Sequence, residues 1–172
     1  MAIYNHFNQR TLTGPQGAQG SAGPQGSQGE QGAQGVSGVI ARGASLGISS
    51  SYISTSQATS STTYTDLATV GPSVTVSTGT SALVFMSFTL TQNSSGVNTG
   101  YMSFAVSGST TIAASDSNSV GVSSPYSLPG SAATVVHLTN LTSGSNTFTA
   151  KYRCNAGGPF NFIGRSITVI PL

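Results

Sequence analysis

Residues 146–154 read NTFTAKYRC. Phe148, Ala150, Tyr152 and Cys154 fall on one parity, and Thr147, Thr149, Lys151 and Arg153 on the other. Successive side chains of an extended backbone point to opposite faces, so this stretch predicts a β-strand with one face in a core and one in water. Outward from it, a period of two recurs at 51–56, 61–69, 73–78, 81–91, 101–107, 111–115, 133–140 and 165–170. Clusters of Gly, Ser, Asn and Pro at 92–100, 123–131 and 143–146 punctuate these runs as turns do. No window of helical length escapes Gly, Ser and Thr long enough to keep a 3.6-residue period. Residues 81–90, SALVFMSFTL, are apolar on both parities, with Leu83 and Phe85 opposing Ala82, Val84, Met86, Phe88 and Leu90. That pattern fits a central strand, or one that also meets a neighbouring subunit. Residues 50–172 are therefore expected to form an all-β head, a sandwich of jelly-roll type.

A different period precedes the head. Residues 14–40 read GPQGAQGSAGPQGSQGEQGAQGVSGVI, with Gly14, Gly17, Gly20, Gly23, Gly26, Gly29, Gly32, Gly35 and Gly38 in strict register. Where three polyproline-II chains wind together, every third residue meets the axis and has no room for a side chain. The run predicts a fibrous collagen-like triple-helical stalk with these glycines on its axis, and hence a homotrimer. The competing reading is a Gly/Gln linker of biased composition, which needs no period. Pro occupies only the first variable position, as Pro15 and Pro24, and never the position that an animal collagen hydroxylates, which points to a bacterial or viral source. With so little Pro each chain loses more backbone entropy on ordering, so the head is expected to hold the chains in register. At about 3.1 Å per residue the stalk would span roughly 80 Å, the length of a spacer.

Residues 41–49 read as a neck. Residues 1–13 place Ile3, Tyr4 and Phe7 in a polar setting, too short a segment to fold alone in water. They predict an anchor that orders in a socket, against the alternative of a frayed terminus.

Composition removes several function classes. Charged residues are 5% of the chain, against about 25% in ordinary domains. The net charge of +2 rests on five basic and three acidic groups, so nucleic acid is not an expected partner. The single cysteine, Cys154, excludes an intrachain disulfide framework and, on the core parity, reads as packing. The N-terminus, MAIYNHFNQR, lacks the charged start and apolar run of a secretory signal, and no stretch is apolar enough to insert in a membrane.

The head's titratable groups besides its basic side chains are chiefly Asp66, Asp116, His137 and Cys154, and no acid/base pair can be argued from them. The chain is not expected to be an enzyme. Asp116 with Asn118 in SDSNS starts like a calcium loop, but the Gly and distal Glu of such a loop are absent, which leaves a solvated turn. His137 shares its strand face with Val135 and Thr139, so three copies could form a metal site at a threefold axis; a hydrogen-bonded or interface histidine is the preferred reading. No catalytic residue, metal or cofactor is expected.

The Gly-X-Y run, together with SSTTYTDLATVGPSVTVSTGTSALVFMS (60–87) and LTSGSNTFTAKYRCNAGGPFNFIGRSITVIPL (141–172), resembles the short collagen-like fibre proteins of tailed bacteriophages, especially minor tail proteins of phages of Gram-positive hosts. The resemblance implies a trimeric fibre with a head of TNF/complement-type jelly roll. It implies a virion component made in the bacterial host cytoplasm and held by residues 1–13 to another virion protein of tail or capsid. The free end would then contact the host surface, with a glycan as the expected partner. Asn93, Asn118 and Tyr126, in the polar loops 92–99, 116–124 and 123–130, are the candidates for that contact, offering amide donors and an aromatic face. Two alternatives stay open: a capsid fibre or decoration protein, and a bacterial collagen-like surface or spore-coat filament.

Overall fold

A computed structural model describes residues 14–26, 47–92, 98–124, 128–155 and 158–172. Two compact units divide the chain, residues 1–37 and residues 38–172. In the second, the described strands are β1 (Ser49–Ile53), β2 (Gln57–Thr59), β3 (Ser73–Thr78), β4 (Ser81–Gln92), β5 (Asn98–Gly108), β6 (Val120–Ser124), β7 (Gly130–Thr139), β8 (Gly144–Cys154) and β9 (Phe160–Pro171). A 3-10 turn, Asp116–Asn118, interrupts them. One sheet runs β1-β9-β4-β7 with β2 also paired to β9, and the other runs β3-β8-β5-β6. All pairings are antiparallel.

The alternation of the sequence explains which faces meet. Ala82, Val84, Met86, Phe88 and Leu90 of β4, with Phe160, Phe162, Ile167 and Val169 of β9, oppose Met102, Phe104 and Val106 of β5 and Phe148, Ala150 and Tyr152 of β8 in one core. Tyr152 of one sheet lies 4.9 Å, ring to ring, from Phe162 of the other, and the Tyr152 hydroxyl donates to the Gly71 carbonyl at 2.9 Å. β4 is central, bonded on one side to β7 and on the other to β9, which accounts for its apolar residues on both parities.

β9 contains the one irregularity with consequences for the core. Its register against β4 shifts between Ser87 and Thr89, and Gly164 there has φ 58°, a left-handed conformation that costs glycine little. Without this bulge, Phe160 and Phe162 could not share a face with Ile167 and Val169, because their parities differ. The extra residue also turns Arg165 inward, where it is fully buried. Its Nη2 donates to the Thr55 carbonyl at 3.2 Å and to Gln57 Oε1 at 3.0 Å, and its guanidinium lies 5.4 Å from the Tyr152 ring centre. Its Nε and Nη1 find no hydrogen-bond partner among the described residues.

The expected fold class is corrected. In place of a collagen-like triple helix followed by a jelly-roll-type head, the described residues form an all-β fold of two antiparallel sheets, five- and four-stranded, with no triple helix among them. Residues 14–26 are exposed and without regular secondary structure. A triple helix has no hydrogen bonds within one chain and forces glycine only where three backbones crowd an axis. Here a Cβ added at Gly14, Gly17, Gly20, Gly23 or Gly26 would meet nothing within 4 Å. Gly29, Gly32, Gly35 and Gly38 lie outside the described residues, as do Ile3, Tyr4, Phe7, Asn93 and Tyr126.

Two expected strands are absent for a common reason. Residues 61–69 contribute only the bridge of Thr65 to Tyr152, and residues 111–115 only that of Ile112 to Val106. Their polar side chains instead serve turns, as where the Ser61 hydroxyl bonds the Thr63 carbonyl at 2.7 Å.

Candidate functional site

The polar parity of β8, read from the sequence as a wet face, is where the surface charge of the described domain collects. Lys151 Nζ lies 2.7 Å from both carboxylate oxygens of Asp66. One pleat further, Arg153 stands directly across from Tyr101 of β5, and its guanidinium stacks 4.0 Å from that ring's centre.

Two loops close over Arg153. The first, residues 61–65, is tied along β8 by main-chain bonds from Thr65 to Tyr152 and from the Cys154 amide to the Ser61 carbonyl, at 2.7 to 3.0 Å. This brings the Tyr64 ring to 5.4 Å from the Arg153 guanidinium. The second carries the 3-10 turn. Ser103 of β5, buried on the outer face, donates to the carbonyls of Ser115 and Asn118 at 2.9 and 3.0 Å. A larger side chain at 103 would lift that turn from the sheet, so a small hydroxyl fixes where Asp116 stands.

Asp116 joins the two loops through one oxygen. Its Oδ1 accepts from the Tyr64 hydroxyl at 2.8 Å and from Arg153 Nε at 2.9 Å, and lies 2.8 Å from Arg153 Nη2. Oδ2 has no partner among the described residues, and the Asp116 side chain is 66% exposed while that of Arg153 is 17% exposed. The Tyr64 bond, then the Arg153 bond, hold the Asp116 carboxyl below its usual range. Burial, with the carboxylate beside it, pushes the Tyr64 hydroxyl up. The outcome is a charge-balanced Tyr–Asp–Arg–Tyr constellation, preset by protein contacts, with one carboxylate oxygen directed to solvent. It borders a surface hollow of about 550 Å³ lined also by Thr62, Thr63, Ala114 and Ser115.

Of the residues singled out from the sequence for host contact, Asn118 belongs to the turn that carries Asp116. His137 is exposed on β7. No group of three or more His, Cys, Asp or Glu able to hold a metal exists among the described residues. Cys154 is buried, and its burial pushes the thiol up to about 11. Tyr64 and Tyr101 were not legible as site residues. The signal available was the parity of Arg153 on a wet face, but its partners come from strands and loops distant in sequence.

No helix of the described residues is long and apolar enough to cross a membrane. Compared with known proteins, the chain matches no family model and no curated protein.

Proposed function

We propose that the chain is a structural and adhesive fibre subunit of a tailed-bacteriophage virion, a minor tail protein or tail fibre, in which the Gly-X-Y segment is a spacer and the β domain contacts the host surface. The observation that carries this reading is a long triplet-repeat segment joined to a β domain that bears, beside its paired charges, a preset aromatic and polar hollow. The resemblance of residues 60–87 and 141–172 to phage fibre proteins supports the virion setting. In this reading residues 1–13 hold the chain to another virion protein, and the subunit acts as a homotrimer whose three weak sites bind together.

The five-stranded sheet suits that assembly. Its outer face exposes Tyr52, Phe85 and Val135 at 65%, 40% and 52% and carries no Lys, Arg, Asp or Glu among the described residues, so identical copies meet there without repulsion. Purified full-length protein tests the proposal: it should sediment as a trimer, label cells of the host bacterium and slow adsorption of the virus when added in excess. A monomer that neither labels cells nor competes contradicts it.

A further inference from the structure

We propose that the hollow beside Asp116 is a saccharide site selective for neutral sugars that present adjacent hydroxyls. This rests on the fibre reading for its biological setting, while the chemistry comes from the site alone.

Charge sets the first constraint. Arg153 directs Nε and Nη2 to Asp116 and covers its face with Tyr101 at 4.0 Å. An anionic ligand would have to displace that pairing and would face the free Oδ2 of the carboxylate. A cation would meet the neighbouring guanidinium. A neutral ligand meets neither obstacle.

Hydrogen bonding sets the second. Oδ2 of Asp116 is an exposed, ionised acceptor with no protein donor among the described residues. A carboxylate oxygen accepts strongly and from more than one hydroxyl, which is what a pair of adjacent sugar hydroxyls supplies. Around it, Thr62 and Thr63 are exposed hydroxyl-bearing residues, and Tyr64 contributes an aromatic side chain to the lining.

Shape and rigidity set the third. About 550 Å³ lies within the range of roughly 300–1,000 Å³ usual for small-ligand sites. The small residues Ala114 and Ser115 complete the lining. Asp116, Tyr64 and Arg153 are already fixed by one another, so binding need not order them.

The test uses full-length protein and two sets of probes: neutral oligosaccharides of hexose and N-acetylhexosamine, and counterparts bearing uronate or phosphate. Binding is read by saturation-transfer NMR and titration. Neutral probes should bind, with a Kd that changes less than about twofold between about 50 and 500 mM salt, because no net charge is exchanged. Asp116→Asn should weaken binding by at least about tenfold. Thr62→Tyr, which fills the hollow from an exposed position without touching the ion pair, should do the same. Asp66→Asn, at the carboxylate paired with Lys151 of the same strand as Arg153 but outside the hollow, should leave binding unchanged. Preference for the charged probes, no binding of any neutral probe, or full binding by Asp116→Asn overturns the proposal, as does equal weakening by Asp66→Asn. The two readings fail separately. Sugar binding without labelling of host cells removes the adhesive role and keeps the site, whereas labelling that Asp116→Asn leaves intact removes the site and keeps the adhesive role.

Discussion

Replacing Arg165 by Met should stabilise the domain. Arg165 is fully buried, and no ion pair neutralises it among the described residues, where the two salt bridges belong to Lys151 and Arg153. Removing an ion from water costs several kcal/mol even after relaxation. Each N–H left unpaired, here Nε and Nη1, costs about 1–3 kcal/mol. Against this stand two hydrogen bonds of about 1.5–3 kcal/mol each, and a contact with the Tyr152 ring worth about 2 kcal/mol when desolvated.

Met keeps much of the volume and leaves little stranded. The Gln57 Oε1 retains the Thr69 amide at 3.1 Å, and Thr55 is exposed, so its carbonyl can turn to water. Exchange of buried ionic groups for well-packed apolar residues is often neutral or gains about 1–4 kcal/mol, and Arg165 has no ionic partner among the described residues to lose. For a domain of this size each kcal/mol raises Tm by about 4 °C. Arg165→Ala, which leaves a cavity, should be less stable than Arg165→Met by about 2–5 kcal/mol. Urea unfolding followed by tyrosine fluorescence, the chain having no Trp, measures both. A loss of more than about 2 kcal/mol in Arg165→Met would show that the guanidinium is a net anchor of the β1–β2 connection, and the desolvation argument would be refuted.

Other outcomes follow from where charge and thiol lie. No Lys or Arg occurs between Arg42 and Lys151, Lys151 and Arg153 sit inside β8, and Arg165 is buried in β9; native protein treated with trypsin should therefore keep residues 43–172 intact, and rapid native cleavage at Lys151 or Arg153 would show that β8 opens. Cys154, buried and with its thiol raised to about 11, should resist a thiol reagent at neutral pH and react at once in denaturant; equal rates would contradict its burial. The depressed Asp116 carboxyl gives a signed pH dependence: its stabilising contribution is present above the unfolded value near about 3.9 and is lost as pH falls through the lower folded value. Wild type and Asp116→Asn should accordingly differ in unfolding midpoint at neutral pH and converge in acid; a gap that widens below about pH 3 would reverse the sign of the argument.

The β character of the domain was written in local alternation, because a half-buried strand must show period two. β3, β4, β7 and β8 carried it plainly, and the two-faced apolarity of β4 announced its central place. Three features were hidden for identifiable reasons. The bulge at Gly164 inverts parity within one strand, so residues 160–163 were not joined to 165–170 and Arg165 could not be recognised as buried. Asn146 looked like a strand-end residue. It is fully buried, with Nδ2 bonded to Thr78 Oγ1 and the Thr142 carbonyl at 2.8 and 3.0 Å and Oδ1 accepting from the Thr110 amide at 2.7 Å. Such a hub joins segments far apart in sequence, and no spacing rule marks it. The Tyr64, Tyr101, Asp116 and Arg153 constellation was illegible for the same reason, although Asn118 lay within two residues of it. The Gly-X-Y register misled about fold, because the crowding that demands glycine comes from neighbouring chains and the period alone does not create it in a single one.

The most direct test of the adhesive-fibre account is electron microscopy with gold-labelled antibody against the β domain, applied to virus particles and to cells from the lysate in which the chain is produced. The account predicts gold on particles at the outward ends of tail-borne fibres, with label on host cells only after added protein has bound. Gold confined to bacterial or spore surfaces, with bare particles, would contradict it.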